Sequence, residues 1–237
     1  MINTRDHDCT GTVCNPERFP FPAVKKRKVT ASFSGGEVSS DGGILWLRQA
    51  DRQVGLTQAL AGVLPDPRNP ERIVHPLRTF IRQRVYGLCL GYEDLNDHDS
   101  LRQDLAWQSA AERDEALASS PTLCRWENRA DRQVAWLVQE ILVNPCLFSD
   151  RTSCHDWWAN PFRLRLSSCA YVLLETVRRL GLAGTDLARA PAGTLRLKLL
   201  KIGAVVLRNT RRGRLLLASS YPYQNIFAQV AKVFSTG

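Results

Sequence analysis

Beyond residue 150 this chain of 237 residues has almost no acid: Asp156, Glu175 and Asp186 stand alone against 14 Lys and Arg. Three scattered carboxylates cannot easily build a multi-carboxylate metal site. The cysteines form no CxxC pair. Cys146, Cys154 and His155, even with Cys9 and Cys14, fit no four-ligand zinc spacing, which sets structural zinc aside. No apolar run approaches the roughly 18 residues that a membrane helix needs. Met1 is not followed by the basic, apolar and small-residue segments of a secretory leader. The expectation is a cytoplasmic protein with reduced thiols and no membrane span. Nucleophile elbow, P-loop and HExxH motifs are all missing, as are internal repeats and low-complexity tracts.

What is there is charge, unevenly placed. Residues 1–150 carry 18 Lys and Arg against 20 Asp and Glu, so the whole excess of +9 lies in the last third. A tract that basic is costly to fold unless a polyanion neutralises it, and nucleic acid is the usual one. Arg outnumbers Lys 26 to 6. That suits phosphate and base contacts, and it equally suits GC-rich coding. An apolar content of 44% fits a globular chain with a core, long enough for one large domain or two small ones.

The pattern reads as mainly α with minor β: a helical N-terminal region, then a basic C-terminal region of helices and one β-hairpin. The expected divisions are an arm with short strands over 1–38, a helical region over 39–146 and a basic region over 147–237. Val29 to Phe33 alternates and is broken by Gly35-Gly36. Ser40-Asp41-Gly42-Gly43 is expected to cap a helix that stops at Gly55. Val74, Leu77, Ile81, Val85 and Leu88 mark one face of a second helix, with Arg78 and Arg82 on another, and Gly91 ends it. The acidic loop from Gly91 to Asp97 precedes a short helix over 101–111. Ser120-Pro121 and Asn160-Pro161 both read as a cap followed by proline at the first helical position. Phe162, Leu166, Cys169, Leu173, Val177 and Leu180 form an apolar stripe, and Gly193-Thr194 opens a helix through Leu200. Residues 204–208 and 214–219 are β-prone runs joined by Asn209 to Gly213, and Pro222 to Phe234 reads as a last helix.

Two basic constellations are candidates for phosphate contact. Arg208, Arg211, Arg212 and Arg214 place four guanidiniums at the hairpin tip, and a two-stranded ribbon fits a major groove or lies along a backbone. The plain alternative is a solvated turn. Lys25, Lys26, Arg27 and Lys28 form a basic arm, which otherwise is a soluble tail or a nuclear address. Glu93, Asp94, Asp97 and Asp99 are the densest acids; in a turn they are expected to cap helices and pair with Arg102 rather than hold metal. Trp107, Trp126 and Trp136 lie in helical segments and read as packing residues. Cys89, Cys124 and Cys169 read as small core residues.

Taken in order, the motifs resemble one family. Ser39-Ser40-Asp41-Gly42-Gly43-Ile44-Leu45 resembles the N-terminal motif of bacterial insertion-sequence transposases of the DDE type, in the group called IS-thirteen-eighty. Arg82 to Gly87, leading into Gly91-Tyr92-Glu93-Asp94-Leu95-Asn96-Asp97, is similar to its next block. Leu117-Ala118-Ser119-Ser120-Pro121 through Arg125-Trp126-Glu127-Asn128-Arg129 resembles a third, and Phe148 through Leu180 the C-terminal one, with similarity running on towards Phe234. The resemblance implies a protein that acts on DNA, including transposon ends. It also implies a ribonuclease-H-like core whose two aspartates and one glutamate hold Mg or Mn for strand cleavage and transfer.

That core lies between the third and fourth blocks, and here Leu142-Val143-Asn144-Pro145-Cys146 runs almost directly into Phe148-Ser149-Asp150. No position matches the three ligands, so no catalytic residue, metal ligand or cofactor is assigned. Pro161 stands where the family usually has Gln. The expectation is an internally deleted transposase that binds DNA without cutting it. Its alternative is a regulatory product that competes for the DNA ends or enters mixed oligomers with intact transposase, and a homo-oligomer fits either reading.

Overall fold

The computed structural model describes residues 19–24, 27–31, 37–142, 158–208 and 213–235. The protein is mainly helical with minor β structure, as its sequence pattern indicates. Strands β1 (Phe19–Val24) and β2 (Arg27–Ala31) form an antiparallel pair in which Phe21 faces Val29. Helices α1 (Ile44–Val54) and α2 (Leu56–Val63) are separated by Gly55 alone, at φ 67°. Only glycine adopts that left-handed backbone without strain, so the chain turns sharply there. Asp51 secures the turn: its carboxylate accepts from the Thr57 backbone N–H at 2.8 Å and from the Tyr86 hydroxyl at 3.1 Å.

Helix α3 (Leu77–Leu90) lies at the centre, and every residue from Thr79 to Leu90 is buried. Of the two arginines expected on the face away from the apolar stripe, Arg82 is therefore buried, at 3% exposed, and Arg78 is half-buried. Short helices α4 (Asp97–Leu101) and α5 (Leu105–Ala110) follow, then α6 (Ser120–Asn128) and α7 (Arg132–Ile141). Helix α8 (Ala159–Thr176) packs along α3, and its stripe from Phe162 to Val177 is buried as the periodicity requires. The stripe's last member, Leu180, is exposed because the helix widens into a π turn over 177–181. Helix α9 (Ala192–Leu195) widens in the same way over 196–200.

A three-stranded antiparallel sheet joins the two regions. Strand β3 (Val38–Ser39) pairs with β4 (Ala204–Arg208), which pairs with β5 (Gly213–Leu217) as the expected hairpin. Helix α10 (Gln224–Ser235) closes the chain, with Phe227 and Phe234 against Trp46. One apolar cluster runs through Ile44, Leu47, Ile81, Val85, Trp107, Leu166, Leu173 and Leu199, so residues from both sides of position 150 share a core.

Three helix starts differ from the sequence pattern. The residue before α1 is Gly43, which offers no side-chain cap, because the Asp41 carboxylate is turned into the core. Helix α6 is entered from Ser119, with Ser120 inside it, and α8 from Trp158, and neither entry has a side-chain cap bond. Packing fixes these starts, and local capping adds little.

Candidate nucleic-acid interface

The four sequence blocks meet as a set of polar latches. Asp41 is fully buried, and its Oδ2 accepts from Trp107 Nε1 at 2.9 Å and from the Tyr92 hydroxyl at 3.0 Å. Gly42 and Gly43 donate their N–H groups to the carbonyls of Ile202 (2.8 Å) and Leu200 (2.9 Å). A Cβ on Gly43 would lie 2.1 Å from the Leu199 carbonyl oxygen, so only glycine lets the two backbones approach. Arg196 donates to the Cys89 carbonyl at 2.8 Å and to that of Leu88 at 3.2 Å, satisfying carbonyls at the C-terminus of α3 that the helix leaves open. Lys201 sits 4.2 Å over the Tyr92 ring. Gln83 donates to the Ala118 carbonyl at 2.8 Å and accepts from its N–H at 3.1 Å. Glu127, wholly buried, accepts from Arg84 at 2.5 Å and from Arg163, joining α3, α6 and α8.

The acids of the turn behave as expected of capping groups, with one difference. Asp94 accepts from the Asn96 N–H and Asp99 from the Ser120 N–H. Arg102 reaches the Leu117 carbonyl at 3.1 Å rather than a carboxylate. Asp51 lies 3.5 Å from Arg82 Nε, and Glu112 accepts from Arg82 at 2.6 Å and from Arg52 at 2.7 Å. Glu112 is held at φ 60°, a left-handed conformation that a non-glycine side chain rarely takes. Burial raises its carboxyl pKa, but hydrogen bonds from both arginines outweigh that and hold it at about 2.

Of the eight candidate phosphate contacts, Arg208 and Arg214 have described side chains. Arg27 and Lys28 lie on β2, and Lys25, Lys26, Arg211 and Arg212 lie outside the described residues. The ribbon separates the two arginines that are seen. Arg208 pairs with Gly213 and turns to the loop after α5, donating to the Asp114 carbonyl at 2.8 Å. Arg214 pairs with Leu207 and is exposed, on the same outward face as Leu216, Val205 and Val38. Other cations of the last third are also engaged. Arg163 meets Glu127, and Arg178 and Arg179 meet Glu175, while Arg196 caps α3. Part of the excess charge is thus absorbed by backbone carbonyls and by acids of the N-terminal region.

Sequence reasoning missed a second basic zone, inside the region whose net charge is slightly negative. Burial and then the charges of Arg113, Arg102 and Arg68 push the His75 imidazole below its usual range, and Arg68 donates to the His75 carbonyl at 2.8 Å. Arg208 adjoins the zone through its bonds to the carbonyls of residues 113 and 114. Beside it opens a cleft of about 410 Å3 between the 64–68 turn, α6, the start of α7 and the first turns of α8. Summed charge could not reveal it, because its arginines come from three separate segments.

The divalent ions implied by the motifs can be tested against the residues present. Among the described residues no three His, Cys, Asp or Glu side chains are grouped so as to hold a metal ion. The described residues do not fit such a centre, and no step is derived through one.

A chain of helices latched by buried ion pairs exposes Arg214 on its ribbon and Arg125 and Arg129 beside its cleft. The family model described as transposase DDE domain group 1 matches residues 21–146 and 142–236, and the chain belongs to that family. Membership implies interaction with DNA. No curated protein and no solved structure matches the chain. Among the described residues no helix is long and apolar enough to cross a membrane.

Proposed function

We propose that this chain is a DNA-binding remnant of an insertion-sequence transposase of the IS-thirteen-eighty group, deleted internally and unable to cleave or join strands. The observation that carries the reading is the use made of the acids in and between the family blocks. Asp41, Asp51, Asp99, Glu112 and Glu127 each accept hydrogen bonds that hold one element to another, and Asp104 caps its own helix. A carboxylate so engaged is not open to a pair of divalent ions about 3.5–4 Å apart. The family match supports the deletion, since it falls in two segments that overlap at residues 142–146, where the third block runs on towards the fourth without the core.

DNA is held through phosphates, and the basic arm and the hairpin tip are the sites assigned to it. Lys25, Lys26, Arg27 and Lys28 form one contact and Arg211, Arg212 and Arg214 the other. Arg208 supports the ribbon from below rather than touching DNA. A regulatory product that competes for transposon ends draws support from the shared core, because a chain whose flanking regions latch together can bind without the missing segment.

The test is a binding and nicking assay on duplexes carrying the element's terminal repeats. Purified protein binds them without cutting in Mg2+ or Mn2+, and Arg211→Ala lowers the salt slope by about 0.9 while weakening all sequences alike. Metal-dependent cleavage by the pure chain refutes the reading. Preference for the element's own ends over random duplex favours regulation, and equal binding favours a decayed remnant.

A further inference from the structure

The cleft beside α6 is built from two kinds of group. Phe80, Trp126 and Phe162 line its floor. Trp126 meets Phe162 edge-on at 5.3 Å between centroids and Phe80 at 5.7 Å. Arg68, Arg125 and Arg129 stand around it. The two acids in the lining are already engaged. Asp66 accepts two hydrogen bonds from Arg68, at 2.5 and 2.6 Å, and Asp131 accepts from the Val134 N–H at the start of α7. Arg68 in turn lies 4.6 Å over the Phe80 ring, so it serves as part of the wall. Arg125 and Arg129 are exposed at the rim; Arg125 donates to the Thr122 hydroxyl at 3.2 Å, and neither arginine makes an ion pair within 4 Å among the described residues.

We propose that this cleft takes an unpaired nucleotide of single-stranded DNA, its base against Trp126 and its phosphates on Arg125 and Arg129. A volume of about 410 Å3 falls in the range of about 300–1,000 Å3 typical of small-ligand sites. Aromatic surface beside guanidinium is the combination that holds single strands without reading sequence, because every base has a π face and every linkage a phosphate. A base inside a duplex has both faces covered by its neighbours and cannot enter. The inference rests on the proposal that the protein binds DNA and adds which form of DNA this surface accepts.

The experiment uses the full chain and a fluorescent ten-nucleotide oligothymidylate, followed by anisotropy and compared with a ten-base-pair duplex. The single strand binds at least tenfold more tightly than the short duplex. Arg125→Ala/Arg129→Ala weakens it tenfold or more and lowers its salt slope by about 1.4 units, at about 0.7 for each phosphate contact. Trp126→Leu weakens it about five- to hundredfold, with circular dichroism verifying the fold, and the exposed arginine pair decides the matter should that variant unfold. Arg189→Ala, exposed and outside the cleft, leaves binding unchanged. Equal affinity for both probes, no effect of the double variant, or displacement by an equimolar ten-residue acidic peptide overturns the inference. Retained duplex binding in that event leaves the proposed function standing, whereas loss of both probes removes the two together.

Discussion

Replacing Glu127 by Gln tests how the two halves of this chain are held. Glu127 has no exposed surface, and its carboxylate lies between Arg84, 4% exposed, and Arg163, 19% exposed. Glutamine keeps the volume and can still accept a hydrogen bond. Its amide N–H2, however, faces a guanidinium that is itself only a donor. Two cations then remain in the interior with no carboxylate between them. Removing one partner of a buried ion pair costs about 3–5 kcal/mol, because the charge left behind is uncompensated. A chain of this size loses about 2–4 °C in Tm per kcal/mol. The expected fall is therefore about 6–20 °C, read from helical ellipticity in a thermal scan. Arg163→Met loses less, since that side chain is partly solvated, and the double variant falls short of the sum by about 0.5–3 kcal/mol. A shift under about 2 °C for Glu127→Gln, or simple additivity, would show that α8 is not fastened to α3 and α6 through this carboxylate.

Gly43→Ala places a Cβ 2.1 Å from the Leu199 carbonyl oxygen and lowers Tm by several degrees, whereas Gly62→Ala, with open space around it inside α2, adds about 0.5–1 kcal/mol in denaturant titrations. His98 is buried, and burial, then the Arg84 charge, press its imidazole down to about 3 from 6.5. The unfolded chain therefore binds a proton that the folded one refuses, so stability is full above pH 6.5 and falls by up to about 1.4 kcal/mol per pH unit as pH drops towards 3. Urea midpoints across that range for wild type and His98→Gln report it, and a parallel pair of curves counts against it. Glu112 acts in the same direction lower down: its contribution is present above its ordinary pKa of 4.5 and is lost as pH falls towards about 2, so Glu112→Gln flattens the profile between those values.

The sequence made helices and ribbon legible wherever one face met water. The stripe of α8 and the hairpin of β4 and β5 follow directly from spacing. It was incomplete at α3, where one apolar stripe was marked but the helix is enclosed on every side and buries polar residues as well. Arg82, Gln83 and Arg84 are interior groups held by Glu112, Ala118 and Glu127, partners 30 to 43 positions away. The Ser-Ser-Asp-Gly-Gly string reads locally as a helix cap. Its real work is long-range, with Asp41 bound to a tryptophan 66 positions on and the glycines donating to the carbonyls of Ile202 and Leu200 just before β4. The cleft was invisible for a related reason, since its arginines are ordinary in their own segments and acquire meaning only side by side.

The contact of Gly42 and Gly43 with residues 199–204 means that neither end of the polypeptide is self-sufficient. Residues up to 142, made alone, would leave two donor groups and a sheet edge bare, and the tail made alone would have no scaffold to lie on.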